Sequence, residues 1–313
     1  MNPSMSQHSL TRPPEAPRRS PVPRRPARQH QRIAIIAACC ATWGLPAAGS
    51  THQDRVSSGQ PAQAAAPAVS ADNPAGIDWV AIRGFSIART ETTIGQFRRY
   101  AQATRLQTLA ERQGGGSVYE AGWTRKPGWI WSAPYGPAYR PSDDEPVAHV
   151  TYDEAQGFCG WAGGRLPDDR QWQLAAYTEL RAQPPPPFVN GRTYRYPVGD
   201  RPDGAHCLED CGPAARTRSV PHAATLLRGF GHARVGQSRA GVNGLFDMGA
   251  NLWEWVDEPR GQSGSAERLT RGGSWWYGSG PMRADHLQSK PGDTAVVYIG
   301  FRCVRSDAGY PKP

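Results

Sequence analysis

Apolar residues along this chain change their spacing from segment to segment, and each change marks a different element. Trp79-Val80-Ala81-Ile82 and Phe85-Ser86-Ile87 are short alternating runs split by Gly84, the pattern of two strands joined at a turn. Thr93 stands as a helix cap before Ile94, Phe97 and Ala101, which share one helical face. Residues 107–146 keep no period. They hold Gly114-Gly115-Gly116, Trp123, Trp129, Trp131 and scattered Pro, and predict a long irregular loop held by aromatic packing. A second helix is predicted from Thr151, where Glu154 completes a capping box and Ala155, Phe158, Cys159 and Ala162 follow at helical spacing until Gly163-Gly164. A third starts after Pro167, capped by Asp168 with Gln171 three residues on, and turns Trp172, Ala175 and Ala176 inward. Pro184 to Pro187 closes the helical region, and only short strand-like pieces and turns follow, without internal repeats.

Composition sharpens this picture. The 30 Pro and 35 Gly call for many turns, and the 11 Trp predict a core dominated by a few large side chains. The formal net charge of +9 does not describe a nucleic-acid binder. Residues 1–50 contain seven Arg against one acid, Glu15, so the remainder carries only about a third of that charge with both signs interspersed, and no basic helix or aromatic-basic motif is present.

The basic stretch through Arg32 is followed by the apolar run Ile33 to Ala41 and then by Pro46-Ala47-Ala48-Gly49-Ser50. That order is the order of an export signal, and the run is too short to span a bilayer. Ile36-Ala37-Ala38-Cys39 also resembles a lipoprotein cleavage site, which would add a lipid anchor; a plain cytosolic tail is the bland alternative. The expected organisation is an export signal over 1–49, a tether rich in Ala, Gln, Ser and Pro over 50–76, one folded domain over 77–306 and a tail over 307–313. The protein is expected to be exported, periplasmic or envelope-associated, touching the membrane only through such an anchor.

Four runs in the domain are distinctive: Cys159-Gly160-Trp161-Ala162-Gly163-Gly164-Arg165-Leu166-Pro167; Gly241-Val242-Asn243-Gly244-Leu245-Phe246-Asp247-Met248-Gly249-Ala250-Asn251-Leu252-Trp253-Glu254-Trp255; Arg271-Gly272-Gly273-Ser274-Trp275; and Gly300-Phe301-Arg302-Cys303. In this order, over about residues 78–306, they resemble the sulfatase-modifying-factor family, whose founding member is the formylglycine-generating enzyme. The resemblance implies a C-type-lectin-like α+β fold with little regular secondary structure. It also implies oxidation of a substrate cysteine at copper(I) held by two cysteines just after Gly-Gly-Ser. The matching stretch here, Trp275 to Met282, contains no cysteine, and one thioether does not replace two thiolates. The usual copper chemistry is therefore not expected, although Ser274 and Trp253 match positions that line the family's pocket.

The resemblance further implies a calcium site formed by the side chains of Asp247 and Glu254 and the carbonyls of Ala250 and Leu252, a sensible hard-oxygen set. The family's other calcium site is not expected, because Ala205-His206 and Arg228 depart from its pattern. Cys159 and Cys303 match a pair that is a disulfide in the founding enzyme. Cys207 and Cys211 are close enough to close a second small loop, or to be half of a metal site that no second pair completes.

Two readings of function follow. The first is a calcium-stabilised binding or regulatory module for a protein, peptide or glycan, with Trp275, Trp276 and Tyr277 as an exposed recognition surface or, alternatively, as ordinary core. The second is an oxidoreductase of the wider family acting on a protein or small molecule through a different metal. Its candidates are Ser274, Trp253, Asp285 and His286, the last two as iron ligands or as acid and base.

Overall fold

The computed structural model describes residues 68–260 and 266–307, so the expected export signal, most of the tether and the end of the tail lie outside the described residues. Packing begins slightly before Ile77. The Asn73 side chain donates to the Ile77 carbonyl and accepts from its amide, both at 2.9 Å, and Ala75 is fully buried. The last residues assigned to the tether therefore belong to the domain.

Strands β1 (Trp79–Ala81) and β2 (Phe85–Ala88) pair antiparallel with Val80 opposite Ile87, and β2 is covered on its other edge by the last strand of the chain. Helix α1 (Ile94–Thr104) carries the Thr93–Gln96 capping box and buries Ile94, Phe97, Tyr100 and Ala101. The stretch expected to be wholly irregular is not. Thr108 and Glu111 cap a short helix, α2 (Leu109–Arg112), and strands β3 (Ser117–Tyr119) and β4 (Trp123–Arg125) form a hairpin. These elements are three or four residues long, too short for a period to show.

Helices α3 (Tyr152–Trp161) and α4 (Asp169–Tyr177) start at their capping boxes as predicted. After α5 (Ala214–Arg218) come β5 (Trp253–Arg260), β6 (Glu267–Arg271), β7 (Gln288–Pro291), β8 (Ile299–Gly300) and β9 (Val304–Ser306), which is the strand that covers β2. Four of them make a sheet in the order β7-β6-β5-β8, with β5 and β8 parallel. The sequence hid this sheet because Trp253, Glu254, Trp255 and Val256 are all buried, which erases the alternation of a half-exposed strand.

Phe97 lies 5.8 Å from Phe158 between ring centroids, and Phe158 lies 5.4 Å from Phe301, so α1, α3 and the segment after β8 share one aromatic core. Cys159 and Cys303 are joined across that core at a sequence separation of 144, whereas Cys207 and Cys211 are joined across a separation of 4. Chain entropy makes the first cross-link worth about 5 kcal/mol and the second about 2 kcal/mol. The α+β class with little regular structure is as expected.

Two of the four recognisable runs meet at one ion pair. Arg302 and Glu254 are each 0% exposed; the guanidinium contacts both carboxylate oxygens at 2.7–2.9 Å, and Trp172 Nε1 of α4 donates to Glu254 at 2.8 Å. Arg302 also donates to the carbonyls of Ala88, Arg89 and Phe246. Arg302→Met leaves Glu254 buried without its cation and is expected to cost about 3–5 kcal/mol in denaturant unfolding. A loss below about 1 kcal/mol would show that the pair does not organise the fold.

Candidate functional site

Around this ion pair the chain has buried more carboxyl groups than cations. Glu91, Asp247 and Glu254 are all within 3% of complete burial, and Arg302 is the fully buried cation among them. Glu91 accepts from the Leu252 amide at 2.8 Å and from Asn251 Nδ2 at 2.6 Å, which ties β2's end to the loop before β5. Burial first, then the charges of Asp247 and Glu254, hold the Glu91 carboxyl well above the usual carboxylate range. Burial likewise raises Asp247, against hydrogen bonds from Ser238 Oγ and the Gly236 amide. Asp247, Ala250 and Asn251 all have left-handed backbones, at φ of 58°, 66° and 52°, so the loop coils tightly over the carboxylates.

The loop after Gly272-Gly273 runs beside it. Gly272 is at φ +92°, and a Cβ there would sit 2.8 Å from the Met248 carbonyl, so only glycine lets the two loops approach. The Ala250 amide donates to the Gly272 carbonyl and the Trp275 amide to the Asn251 carbonyl, both at 2.8 Å. Ser274 is buried, and its hydroxyl accepts from the Trp276 amide at 3.3 Å. Trp253 has ring contacts with Tyr277 at 6.0 Å and His286 at 5.9 Å, and so two of the candidate residues and Tyr277 come together.

Other expectations are corrected here. Trp275 and Trp276 do not form an exposed surface: they are 0% and 4% exposed, packed on each other and on Tyr298, and only Tyr277 remains half-buried. Arg228 lies 4.3 Å above the Trp276 ring. Asp285 and His286 stand apart from further ligands. Asp285 is exposed and paired with Arg283, and among the described residues no third His, Cys, Asp or Glu ligand atom gathers with them. The stretch from Trp275 to Met282 likewise offers no thiolate, so the family's copper site does not fit this chain. Met282 is fully buried, with its sulfur 3.9 Å from Cys211 Sγ.

Sequence reading missed the aromatic surface that does exist. Tyr119 and Trp123 of the β3–β4 hairpin are 44% and 58% exposed, and their rings meet at 5.5 Å. Trp123 lies 6.5 Å from Tyr298, which supports Trp275 and Trp276 from the other side. Leu227, 73% exposed, is tied to the same hairpin by its amide, which donates to Glu120 at 3.0 Å. The signal was available: aromatic residues beside turn residues, without an apolar period, are free to face outward.

Deeper in the domain, His232 bridges Glu145 and Tyr135 at 2.9 Å each, and Tyr139 donates to Glu145. His149 is completely buried and pushed down to about 4 by burial, only partly offset by its contact with the Pro134 carbonyl. An unfolded His titrates near ~6.5. Below that pH the unfolded chain takes up a proton that the folded one refuses, so stability falls as pH drops from about 6.5 to about 4, by on the order of 3 kcal/mol. His149→Asn, which tolerates the φ of 57° here, is expected to flatten that slope in melting experiments, and an unchanged slope would refute the assignment.

The sequence profile of the family described as "Sulfatase-modifying factor enzyme 1-like domain" matches residues 49–307. The inactive C-alpha-formylglycine-generating enzyme 2 of Mus musculus is 29% identical over 266 residues, covering 74% of this chain and 78% of that one. The formylglycine-generating enzyme of Thermomonospora curvata is 27% identical over 275 residues, covering 72% and 82%. Among solved structures, CarF superposes with a TM-score of 0.47 at 22% identity over 71% of this chain and 86% of its own.

Proposed function

Because this chain belongs to the sulfatase-modifying factor enzyme 1-like domain family, we propose that it is a non-catalytic member: an exported, calcium-stabilised module that binds a protein, peptide or glycan through an aromatic surface. Its fold is that family's α+β, C-type-lectin-like fold. The observation that carries the reading is the replacement of thiolates by aromatic packing after Gly-Gly-Ser. Trp275 and Trp276 fill the interior, and their support, Tyr298, leads outward to Trp123, Tyr119 and Leu227. Rigid aromatic side chains offer large contact area at small entropic cost, which suits them to recognition. A relative that is itself named inactive supports the absence of catalysis, and two disulfides support an oxidising compartment outside the cytosol.

Titration of peptide and oligosaccharide panels, followed by tryptophan fluorescence, tests the surface. Ligands selected on the native protein are expected to lose about tenfold or more in affinity on Trp123→Ala, with little change in melting temperature because most of the ring is exposed. Oxygen uptake with thiol peptides in the presence of iron(II) or copper(I) would overturn the non-catalytic reading in favour of an oxidoreductase.

Calcium is proposed at the side chains of Asp247 and Glu254 and the carbonyls of Ala250 and Leu252. Asp247 offers the open positions: a carboxylate has about four acceptor positions, each Asp247 oxygen accepts one hydrogen bond, and Glu254 already accepts three from Arg302 and one from Trp172. A divalent cation there would balance the excess of buried carboxylates and stiffen the left-handed loop. Removing it with a chelator is expected to lower the melting temperature by about 5–10 °C. Asp247→Ala, which leaves the Glu254–Arg302 pair in place, is expected to abolish that response. A chelator with no effect on the native protein refutes the site.

A further inference from the structure

The fold brings three sulfur atoms together where neither the aromatic surface nor the calcium loop uses them. Cys207 and Cys211 form a disulfide, and Met282 Sδ of the turn Gly280–Met282 lies 3.9 Å from Cys211 Sγ. All three side chains are at most 2% exposed. The Cys207 and Cys211 sulfurs and the Asp210 carboxylate form the one group of three metal-ligating side chains found among the described residues.

The geometry points to a redox-gated copper(I) site formed by Cys207, Cys211 and Met282. Three observations carry it. Metal–thiolate bonds of about 2.3 Å in a trigonal plane place their sulfurs about 4 Å apart, the separation already present between Met282 and Cys211. Soft thiolate and thioether donors select copper(I) over harder ions. Asp210, the carboxylate at hand, is committed elsewhere: its two oxygens accept from the amide and hydroxyl of buried Ser279 at 2.8 and 2.7 Å. Zinc would need that fourth ligand, whereas trigonal copper(I) does not. The same Asp210–Ser279 contact and the Leu208 amide, which donates to the Tyr277 carbonyl at 2.9 Å, hold the cysteine loop against the Met282 loop when the disulfide opens.

The chemistry balances with a dithiol reductant. It delivers two electrons and two protons to the Cys207–Cys211 bond and leaves as its own disulfide. Copper(I) then displaces the two thiol protons and bonds to both thiolates and to the Met282 thioether without changing oxidation state. Glu209 and Asp210 are exposed, so the reductant approaches from the loop's solvent side. Cys159–Cys303 meanwhile keeps the larger core cross-linked. The site is independent of the binding module proposed above.

The test uses the full chain in a Cys39→Ser/Cys40→Ser background, so that thiols in the leader do not contribute. The protein is treated anaerobically with graded dithiothreitol, its disulfides are mapped by mass spectrometry, and copper(I) is titrated in competition with bicinchoninate. The expected result is one copper(I) per chain once Cys207–Cys211 is open and none while it is closed. Binding is expected to be lost in Cys207→Ser/Cys211→Ser and weakened at least about tenfold in Met282→Leu. The inference is overturned if the opened protein binds no copper(I), or if either variant binds like its parent. It is equally overturned if equimolar zinc(II) displaces the copper, or if the disulfide opens only when circular dichroism shows unfolding.

Discussion

A guanidinium and a carboxylate withdrawn completely from water can persist only if each satisfies the other, and the Glu254–Arg302 pair meets that condition at the crossing point of this domain. Glu254 arrives on β5 and Arg302 between β8 and β9, while Trp172 on α4 supplies the remaining donor to the carboxylate. Burial alone would lower Arg302, but the charge and hydrogen bonds of Glu254 outweigh it and keep the guanidinium firmly charged. Its spare N–H groups reach three backbone carbonyls from β2 and from the loop before β5. Four segments far apart in sequence are thereby fixed relative to one another by directional bonds, which apolar packing alone does not provide.

The rest of the site depends on that fixed point. Glu91 and Asp247 lie close enough to interact with the pair, and Glu91 holds the Asn251–Leu252 backbone. Asn251 in turn receives the Trp275 amide, so the position of the Gly-Gly-Ser loop is set through a chain of hydrogen bonds that starts at buried charge. This loop carries Trp275, Trp276 and Tyr277 and no cysteine, and their rings pack on one another and on Trp253. The aromatic contacts then continue through Tyr298 to the β3–β4 hairpin, so the exposed rings of Trp123 and Tyr119 rest on the core.

Much of the domain was legible in its sequence because the signals are local. Capping boxes at Thr93, Thr151 and Asp168 locate three helix starts from four-residue patterns, and the opening strand pair shows in two alternating runs. The Cys159–Cys303 bridge followed from resemblance across the four runs. The loss of the copper ligands needed only the absence of cysteine between Trp275 and Met282. The central sheet was not legible, because a strand buried on both faces does not alternate, and neither were α2 and the β3–β4 hairpin, which are shorter than any period.

The sequence by itself determined the class of fold, the helix starts, the family likeness and the missing thiolates, all of which depend on residue identity or on neighbours within a few positions. Tertiary structure decided the direction each side chain faces. It buried Trp275 and Trp276 and exposed Trp123, separated Asp285 from any ligand set, and set Met282 against Cys211 across 71 residues of chain. These outcomes depend on long-range contacts, chiefly the ion pair that draws residue 302 to residue 254, and such contacts leave no local periodicity to read.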